Sequence, residues 1–419
     1  MALATRLIHN SSMAGPLSHI RVLDLTRVLA GPWATQLLAD LGAEVIKIEK
    51  PGEGDDTRGW GPPFLANADG TRGDAAYFLS TNRGKSSVCI DMAKPEGQKL
   101  IRDLAAKSDI VMENFKVGGL GKYGLDFESL KRVNPKLVYC SLTGFGQTGP
   151  YAQRAGYDFM IQGMAGIMSV TGQPDGQAGA EPMKTGVAFA DIFTGLYATI
   201  GVLSALYHRE RAGEGQFIDM ALLDSQVAVL ANQALNYLVG GKAPTRLGNA
   251  HPNIVPYQTF QTRDGYIIMA VGTDRQFKEF CTIIGVTELA DDQRFRTNRG
   301  RVENRDSLIP LLVEPMKARS TAEWIEAFEA LAVPCGPINS IDQVFADPQV
   351  KARELQIELA REHGTKTPGV ANPIRFSKTP IEYDKAPPSL GEGTNRVLSE
   401  VLGLPASDIA RLRASGAIG

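Results

Sequence analysis

Residues 20–50 decide the fold, and they read IRVLDLTRVLAGPWATQLLADLGAEVIKIEK. The segments RVLDL and EVIKIEK have the apolar, β-branched composition of strands. Between them, GPWATQLLADLGA combines a proline near its start with the apolar spacing of a helix. The order strand, helix, strand predicts a βαβ unit.

The same alternation continues towards the carboxyl terminus. Strand-like and helix-like segments follow in the order SSVCIDM, PEGQKLIRDLAAKS, DIVMENF, DFESLKRVNP and LVYCSLTG. Strands that alternate with helices predict an α/β protein, a Rossmann-like domain whose mostly parallel sheet is covered on both faces. Further on, YQTFQTRDGYIIMAVG indicates two antiparallel strands joined at RDG, and several helices follow.

These patterns predict four parts of the chain. They are a flexible extension (1–16), the first part of a large Rossmann-like domain (17–224), a smaller α+β domain (225–325), and a return to the large domain that ends in a closing helix (326–419).

Composition favours a globular protein that binds small molecules. The 419 residues are 43% hydrophobic and 21% charged, with a net charge of −2 and no long block of Lys or Arg. Nucleic acid is therefore not an expected partner. No apolar run that we identify approaches the roughly 18 residues of a spanning helix, so a membrane is not expected either.

The sequence gives little support for a metal or a tightly bound cofactor. The four cysteines form no CxxC pair, and the five histidines form no HExxH. The first strand-to-helix junction, DLTRVLAGPWATQ, contains no GxGxxG, and the P-loop pattern and GxSxG do not occur in the sequence. We expect no metal, no tightly bound cofactor and a cytoplasmic location. The mitochondrial matrix is the alternative location, if the residues ahead of Asp24, none of which is acidic, form a presequence.

One carboxylate stands out in MKTGVAFADIFTGLYATIG, residues 183–201. Asp191 is the only acidic residue between Glu181 and Glu210, and its neighbours are small or apolar. A structural role is available, because Asp is a favoured N-cap at the start of a helix. A chemical role is also available, because a helix N-terminus lowers the pKa of a carboxyl group and keeps it ionised as a nucleophile.

Long blocks of the chain resemble class III CoA-transferases, the family that includes formyl-CoA transferase and α-methylacyl-CoA racemase. The blocks include VLDLTRVLAGPWATQLLADLGAEVIKIEKPGEGDDTR, LVYCSLTGFGQTGP and ADIFTGLYATIGVLSALYHRERAGEGQFIDMALLDS, and the resemblance runs from about residue 17 onward. It is greatest to the succinyl-CoA:glutarate type. The resemblance implies a homodimer of interlocked subunits and an enzyme that moves CoA from succinyl-CoA to a dicarboxylic acid such as glutarate.

The resemblance also implies catalytic residues. Asp191 matches the family's nucleophile, which forms anhydride and aspartyl-CoA thioester intermediates. Tyr157 stands where the racemases carry a histidine base, and transferases carry a tyrosine followed by an acid, as in Tyr157–Asp158. Because tyrosine is a poor base at neutral pH, a transferase is favoured. The alternatives are an acyl-CoA racemase or isomerase, and an acyl-CoA-binding protein without catalysis.

Binding residues are implied in two groups. Positions that match CoA contacts are Val28, Leu29, Ala30, Lys50, Ile90, Asp91, Met92, Asn114, Phe115, Lys116 and Lys122. A dicarboxylate also needs a cation for its remote carboxylate, and the candidates are Arg83, Arg154 and Arg246. His251 lies where formyl-CoA transferases carry a run of glycines, and it is a candidate contact to the acyl group.

Overall fold

A computed structural model describes residues 15–361 and 365–419. Most of the predicted extension 1–16 therefore lies outside the described residues. The described chain forms two compact units. The first comprises residues 15–165, 186–231 and 349–419, and the second comprises residues 166–185 and 232–348.

Strands occur throughout the described chain. They are β1 (Arg21–Asp24), β2 (Glu44–Glu49), β3 (Phe64–Ala66), β4 (Arg72–Ala75), β5 (Lys85–Cys89), β6 (Ile110–Glu113), β7 (Val138–Thr143), β8 (Phe217–Ala221), β9 (Tyr257–Gln261), β10 (Tyr266–Ala270), β11 (Cys335–Pro337), β12 (Gln356–Ala360) and β13 (Lys366–Val370).

Helices connect most of these strands. They are α1 (Ala30–Asp40), α2 (Ala76–Leu79), α3 (Pro95–Ala106), α4 (Phe127–Val133), α5 (Asp158–Met164), α6 (Phe189–Ala212), α7 (Leu222–Ala228), α8 (Ala231–Gly240), α9 (Asp274–Ile284), α10 (Glu288–Asp291), α11 (Asn298–Glu303), α12 (Arg305–Met316), α13 (Thr321–Glu329), α14 (Ile341–Ala346), α15 (Pro348–Ala352), α16 (Thr394–Glu400) and α17 (Ala406–Ala414).

The first unit is built on a parallel sheet of six strands in the order β5-β2-β1-β6-β7-β8. The central strand β1 pairs with β2 on one side and with β6 on the other, so that Val22 lies beside both Val45 and Ile110. Apolar side chains cover both faces of the sheet, in two clusters represented by Leu23 and Val22. The predicted α/β class and the large parallel sheet are confirmed.

The second unit has its own sheet and its own core. Strands β9 and β10 pair antiparallel, which confirms the predicted hairpin, and β11 adds to the other edge of β10. Helices pack Phe280, Trp324 and Phe328 into an aromatic centre, with the rings of Phe280 and Phe328 stacked at 5.5 Å.

The two units differ from the predicted parts of the chain, and distant contacts explain the difference. Arg246 donates to the carbonyl oxygen of Gln173 at 3.1 Å, and the amide of Gly248 donates to Gly172 at 3.0 Å. These contacts bring residues 166–185 into the second unit. Pairing of β11 with β10 does the same for the chain around Cys335. The predicted domain boundaries stay a prediction.

Helix α6 is longer and more apolar than the sequence analysis indicated. Its mean hydropathy reaches 1.5 over 18 residues, and it is the one helix of the described chain that could cross a membrane by length and composition. Our prediction that no apolar stretch has this length was wrong, because few charges interrupt the helix. Buried helices of globular proteins pass the same test, and Ala198 and Val202 of α6 are fully buried. The absence of a membrane partner stays a prediction.

Candidate active site

A cleft of about 500 Å³ opens in the first unit beyond the carboxyl ends of β1 and β6. These neighbours are the place where the strand order reverses, which is where open parallel sheets bind their ligands. Residues 27–30 follow β1 and line one wall, and residues 114–117 follow β6 and line another. Asp191 and Tyr157 also line the cleft. The fold therefore brings the predicted nucleophile to most of the predicted CoA-binding residues.

A second cavity of about 220 Å³ adjoins the cleft, since both are lined by Arg27, Asp56, Met92 and Phe115. The predicted CoA contacts that the cleft itself lacks line this second cavity. They are Lys50, Ile90 and Asp91.

Asp191 is the third residue of α6 and not its N-cap. The N-cap is Ala188, and its side chain makes no capping hydrogen bond. The carboxylate of Asp158 caps the helix instead, because its Oδ1 accepts from the amide of Ala190 at 2.8 Å and from that of Asp191 at 3.4 Å. The predicted cap role of Asp191 was wrong, and the side chain of Asp191 is left to face the cleft.

The pKa of Asp191 is also the opposite of what the helix position suggests. Burial and then the negative charge of Asp158 raise the pKa of Asp191 to about 7. The amides of Ala190 and Asp191 at the start of α6 donate to Asp158 and not to the carboxylate of Asp191. A carboxyl group with this pKa is partly ionised at neutral pH and is more basic than an ordinary aspartate.

Tyr157 and Asp158 lie together at the start of α5. The Tyr157 side chain is 68% exposed and lines the cleft. Asp158 is fixed at both oxygens, because its Oδ2 accepts from Nε2 of Gln162 at 2.7 Å while its Oδ1 caps α6. Asp158 therefore links the two helices that carry Tyr157 and Asp191.

A close helix contact fixes the place of Asp191 along the cleft. A Cβ atom at Gly195 would lie only 2.7 Å from the carbonyl oxygen of Ala30 and 3.0 Å from Cδ1 of Trp33. Only glycine permits this approach of α6 to α1. Asp191 is one helical turn before Gly195 and so lies close to the start of α1.

Tyr77 is not among the residues that line the cleft, but it lies near Asp191, and the sequence analysis missed it. Burial raises the pKa of Tyr77 to about 12, and the charges of Asp191 and Asp158 add to this effect. The phenol is therefore neutral and within the electrostatic range of the nucleophile. Its ring packs edge-on against Trp60, with the centroids 5.4 Å apart. Nothing in the local sequence AYFL marks this tyrosine, because the chain that separates it from Asp191 is more than a hundred residues long.

Four cations line the cleft: Arg27, Lys116, Lys122 and Arg154. Arg27 was also missed; it stacks on Phe115 at 5.5 Å and forms an exposed ion pair with Asp56 at 3.4 Å. Arg154 lies over the rings of Phe145 and Tyr151, at 5.3 and 4.5 Å.

Buried charges lie beneath the cleft wall. Lys47 bonds Asp55 at 2.9 Å, and Lys85 bonds Asp24 at 3.1 Å, with all four side chains inaccessible to solvent. Burial alone would raise the pKa of Asp55, but the charge of Lys47 and the hydrogen bonds from Lys47 and Thr57 together outweigh it and hold the pKa at about 2. Burial lowers the pKa of Lys85 to about 8, and the charge of Asp24 only partly opposes this. The lysine inside the apolar strand EVIKIEK was the sequence signal for this network.

The structure does not bring Arg83 to the cleft. Two nitrogens of its guanidinium donate to Asp40, at 2.7 and 2.6 Å, and a third donates to the carbonyl oxygen of Val370 at 2.8 Å. Arg83 lines a separate cavity of about 110 Å³. These bonds give Arg83 a structural role.

Arg246 and His251 belong to the second unit. Arg246 pairs with Asp175, and Nδ1 of His251 accepts from the amide of Asn253 at 3.0 Å. Burial and then the charge of Arg305 lower the pKa of His251, which favours the neutral ring. Their substrate contacts stay predictions. No group of three or more His, Cys, Asp or Glu side chains in residues 15–361 and 365–419 is arranged to hold a metal ion.

The fold and the cleft define an α/β enzyme with a carboxylate at the switch point of its sheet. Comparison of the sequence with known protein families identifies the class. Residues 17–394 match the family described as CoA-transferase family III. The chain belongs to this family and is an enzyme that transfers CoA.

Similar proteins point to a narrower group. The chain is 56% identical to a succinate–glutarate CoA-transferase of Agrobacterium fabrum, over 92% of this chain and 96% of that protein. It is 45% identical to a human succinyl-CoA:glutarate CoA-transferase, over 96% and 90%. A crystal structure of a CaiB/BaiF family protein from Brucella suis matches with a TM-score of 0.82 and 55% identity, over 93% of this chain and all of that one.

Proposed function

We propose that this enzyme transfers CoA from succinyl-CoA to a dicarboxylic acid such as glutarate, with Asp191 as the nucleophile. The observation that carries the proposal is the side chain of Asp191 in a cleft at the switch point, among cations and with a pKa near neutrality. The names of relatives 45–56% identical over most of the chain support the choice of succinate and glutarate.

The reaction exchanges activated acyl groups and needs no other energy source. The carboxylate of Asp191 attacks the thioester carbonyl, which forms a mixed anhydride and expels the CoA thiolate. The thiolate attacks the aspartyl carbonyl of the anhydride, which forms an aspartyl-CoA thioester and releases succinate. The acceptor carboxylate then attacks this thioester, and the same two steps run in reverse to give the new acyl-CoA and free Asp191.

The neighbours of Asp191 support this chemistry. A nearby anion makes Asp191 more basic, and a more basic carboxylate is a better nucleophile; Asp158 supplies that charge while it holds the amide of Asp191. Tyr77 is neutral, so its hydroxyl is available as a hydrogen-bond donor. Tyr157 is exposed in the cleft wall, where it contacts the acyl group in our proposal.

The cations divide between the two substrates in our proposal. Arg27, Lys116 and Lys122 follow β1 and β6 and hold the phosphates of CoA, with the adjoining cavity at Lys50 as an extension of the same binding surface. Arg154 comes from the loop that leads into Tyr157, and it holds the remote carboxylate of the acid. The two aromatic rings under its guanidinium restrict its position.

The test is acyl exchange followed by mass spectrometry. Wild-type enzyme incubated with succinyl-CoA and glutarate should produce glutaryl-CoA and succinate in equal amounts. Asp191→Asn should lose at least about 10³-fold in kcat, because it removes the nucleophile. Borohydride or hydroxylamine added during turnover should modify Asp191 in the wild type. Absence of any modified Asp191 under turnover would contradict the covalent route.

The same experiment separates the two alternatives. A racemase or isomerase would exchange the α-proton of an acyl-CoA with deuterated water when no acceptor acid is present. An acyl-CoA-binding protein without catalysis would bind succinyl-CoA as well in Asp191→Ala as in the wild type and would form no glutaryl-CoA. Tyr157 in place of a histidine argues against the first alternative, because its phenol is a weak base.

We also propose a homodimer. Each unit carries large apolar side chains that are exposed in the single chain, among them Ile200 (58%) and Tyr207 (67%) on α6, and Leu238 (71%) and Val239 (84%) on α8. Exposed apolar surface of this kind marks interaction sites. Light scattering after size exclusion should give twice the mass of one chain, and a monomer would refute the proposal. The expected cytoplasmic location likewise stays a proposal.

A further inference from the structure

Val28 has a backbone conformation that is unfavourable for its residue type. Its φ is 72°, in the left-handed region, and it lies in the wall of the cleft between Arg27 and Leu29. A β-branched side chain is rarely found there, since its Cβ substituents crowd the backbone. The surrounding contacts must therefore hold this turn in place.

Side chains from three other segments hold the turn at successive backbone groups. Nζ of Lys47 donates to the carbonyl oxygen of Thr26 at 2.8 Å. The amide of Val28 donates to both carboxylate oxygens of Asp55 at 3.3 Å. Asn114 binds both backbone groups of Arg27, the residue between Thr26 and Val28. Its Oδ1 accepts from the amide of Arg27 at 2.9 Å, and its Nδ2 donates to the carbonyl oxygen of Arg27 at 2.7 Å.

We propose that Asn114 is a positioning residue that keeps Arg27 and Val28 in the left-handed turn, so that this wall of the cleft is preorganised for acyl-CoA. The proposal rests on the proposed function of the cleft. It differs from the direct CoA contact that the family resemblance implies for Asn114, because both ends of the amide are engaged by the backbone of Arg27. Without Asn114, Val28 would relax towards an ordinary conformation and the wall would move.

The test asks whether relief of the backbone strain at Val28 compensates for the loss of Asn114 in steady-state kinetics. Asn114→Ala should raise KM for succinyl-CoA by about tenfold and leave kcat within about twofold of the wild type. Adding Val28→Gly should recover about half or more of this loss on a logarithmic scale, because glycine adopts positive φ without steric cost. Val28→Ala is the matched control; it removes the branched substituents but keeps a Cβ, which still disfavours positive φ, so it should rescue clearly less than Val28→Gly.

Two outcomes would overturn the proposal. Rescue by neither Val28→Gly nor Val28→Ala would show that Asn114 contacts the ligand directly. Equal rescue by both would show that the valine side chain, and not the backbone, is responsible. If Asn114→Ala does not fold, Asn114→Asp replaces it, since it keeps the acceptor for the amide of Arg27 and loses the donor.

A second readout separates this proposal from the proposed function. Binding of CoA by calorimetry and the melting temperature of each variant need no transfer reaction. If the wild type transferred no CoA but Val28→Gly still restored the melting temperature of Asn114→Ala, the proposed function would fail and the positioning role would stand. If the wild type transferred CoA and Asn114→Ala matched it in KM and CoA affinity, the positioning role would fail alone.

Discussion

Asp191 shows how a single residue combines chemical use with a cost in stability. Its carboxyl group is largely buried beside a second carboxylate, and that environment raises its pKa to about 7. Burial of a charge opposes folding, so such a group is typical of a functional site. The sequence singled out Asp191, but its position at a helix start suggested a lowered pKa, because the sequence does not show that Asp158 lies beside it in the fold.

The pH dependence of kcat/KM should report the ionisation of Asp191. Because the carboxylate is the nucleophile, kcat/KM for succinyl-CoA should fall as the pH drops below about 7. Asp158→Asn removes the adjacent charge and lowers the pKa of Asp191, so this limb should move to lower pH. Stopped assays between pH 5 and 9 measure the limb; Asp56→Asn, an exposed acid in the same cleft wall, is the control and should leave it in place. A limb unmoved in Asp158→Asn would contradict the coupling.

The contribution of Asp191 to the free energy of unfolding should change with pH in the opposite sense to kcat/KM. The pKa of Asp191 is about 7 in the folded chain and near its ordinary 3.8 when unfolded. The folded state therefore binds the proton more tightly; the stability from this group is complete below about pH 4 and is lost as the pH rises through 7. Asp191→Asn should raise the unfolding free energy at pH 8 by on the order of 1–3 kcal/mol, and by less at pH 5. Denaturant melts at both pH values would measure it, and an equal effect at both would be inconsistent with this ionisation.

Arg154 should determine the preference for dicarboxylates. Arg154→Gln removes the proposed partner of the remote carboxylate, so KM for glutarate should rise at least about tenfold. Butyrate lacks that carboxylate and is the matched acceptor, whose KM should not change. Steady-state kinetics with both acids would measure the difference. An equal loss for both acceptors would place Arg154 on CoA instead.

At the scale of elements, the contact between α1 and α6 decides where the nucleophile lies. Gly195 allows the carbonyl oxygen of Ala30 to approach α6. This contact sets the position of Asp191, which lies one turn earlier in the same helix. A glycine inside a helix lowers its stability by about 1 kcal/mol relative to alanine, so the close packing must compensate. The sequence predicted both helices, but it could not show which faces meet, because that depends on the order of strands between them.

A pair of glycine substitutions in α6 tests this contact. Gly195→Ala should push α6 away from α1 and reduce kcat by about 10²-fold, since its Cβ would lie 2.7 Å from a carbonyl oxygen. Gly201→Ala is the control in the same helix, where the new Cβ would meet Ile218 at an ordinary 3.5 Å. It should keep full activity and gain up to about 1 kcal/mol of stability. Similar activity in the two variants would show that the contact does not position Asp191.

At the scale of the whole molecule, the chain forms two compact units with separate cores. The core of the second unit is centred on Phe280, and the site residues Asp191 and Tyr157 belong to the first. Units with their own hydrophobic cores are expected to unfold as separate cooperative transitions.

Calorimetry of core variants would test this division. Phe280→Ala should destabilise the second unit by about 3–5 kcal/mol and move one of two thermal transitions. Asp191→Asn at pH 8 should move the other transition and leave the first unchanged. A single transition that shifts as a whole in both variants would show that the units unfold together.

Local patterns carried the prediction of most elements, and distant contacts limited the rest. The apolar periodicity of residues 20–50 predicted β1, α1 and β2 correctly. The short strand β11 was missed because CGP has no strand signal and pairs only through β10. Helix α6, which carries Asp191, was predicted. Its cap by Asp158 was not, since Asp158 is 33 residues away from Asp191 in the chain.

The sequence by itself determined the α/β alternation, the family and the identity of the candidate nucleophile, because these depend on local composition and on motifs that lie within continuous segments. Only the tertiary structure decided the strand order, the cleft at β1 and β6, the raised pKa of Asp191 and the structural use of Arg83 by Asp40. The physical reason is that burial and electrostatic fields depend on distances in space. Those distances are set by the pairing of strands and helices that are far apart in the chain.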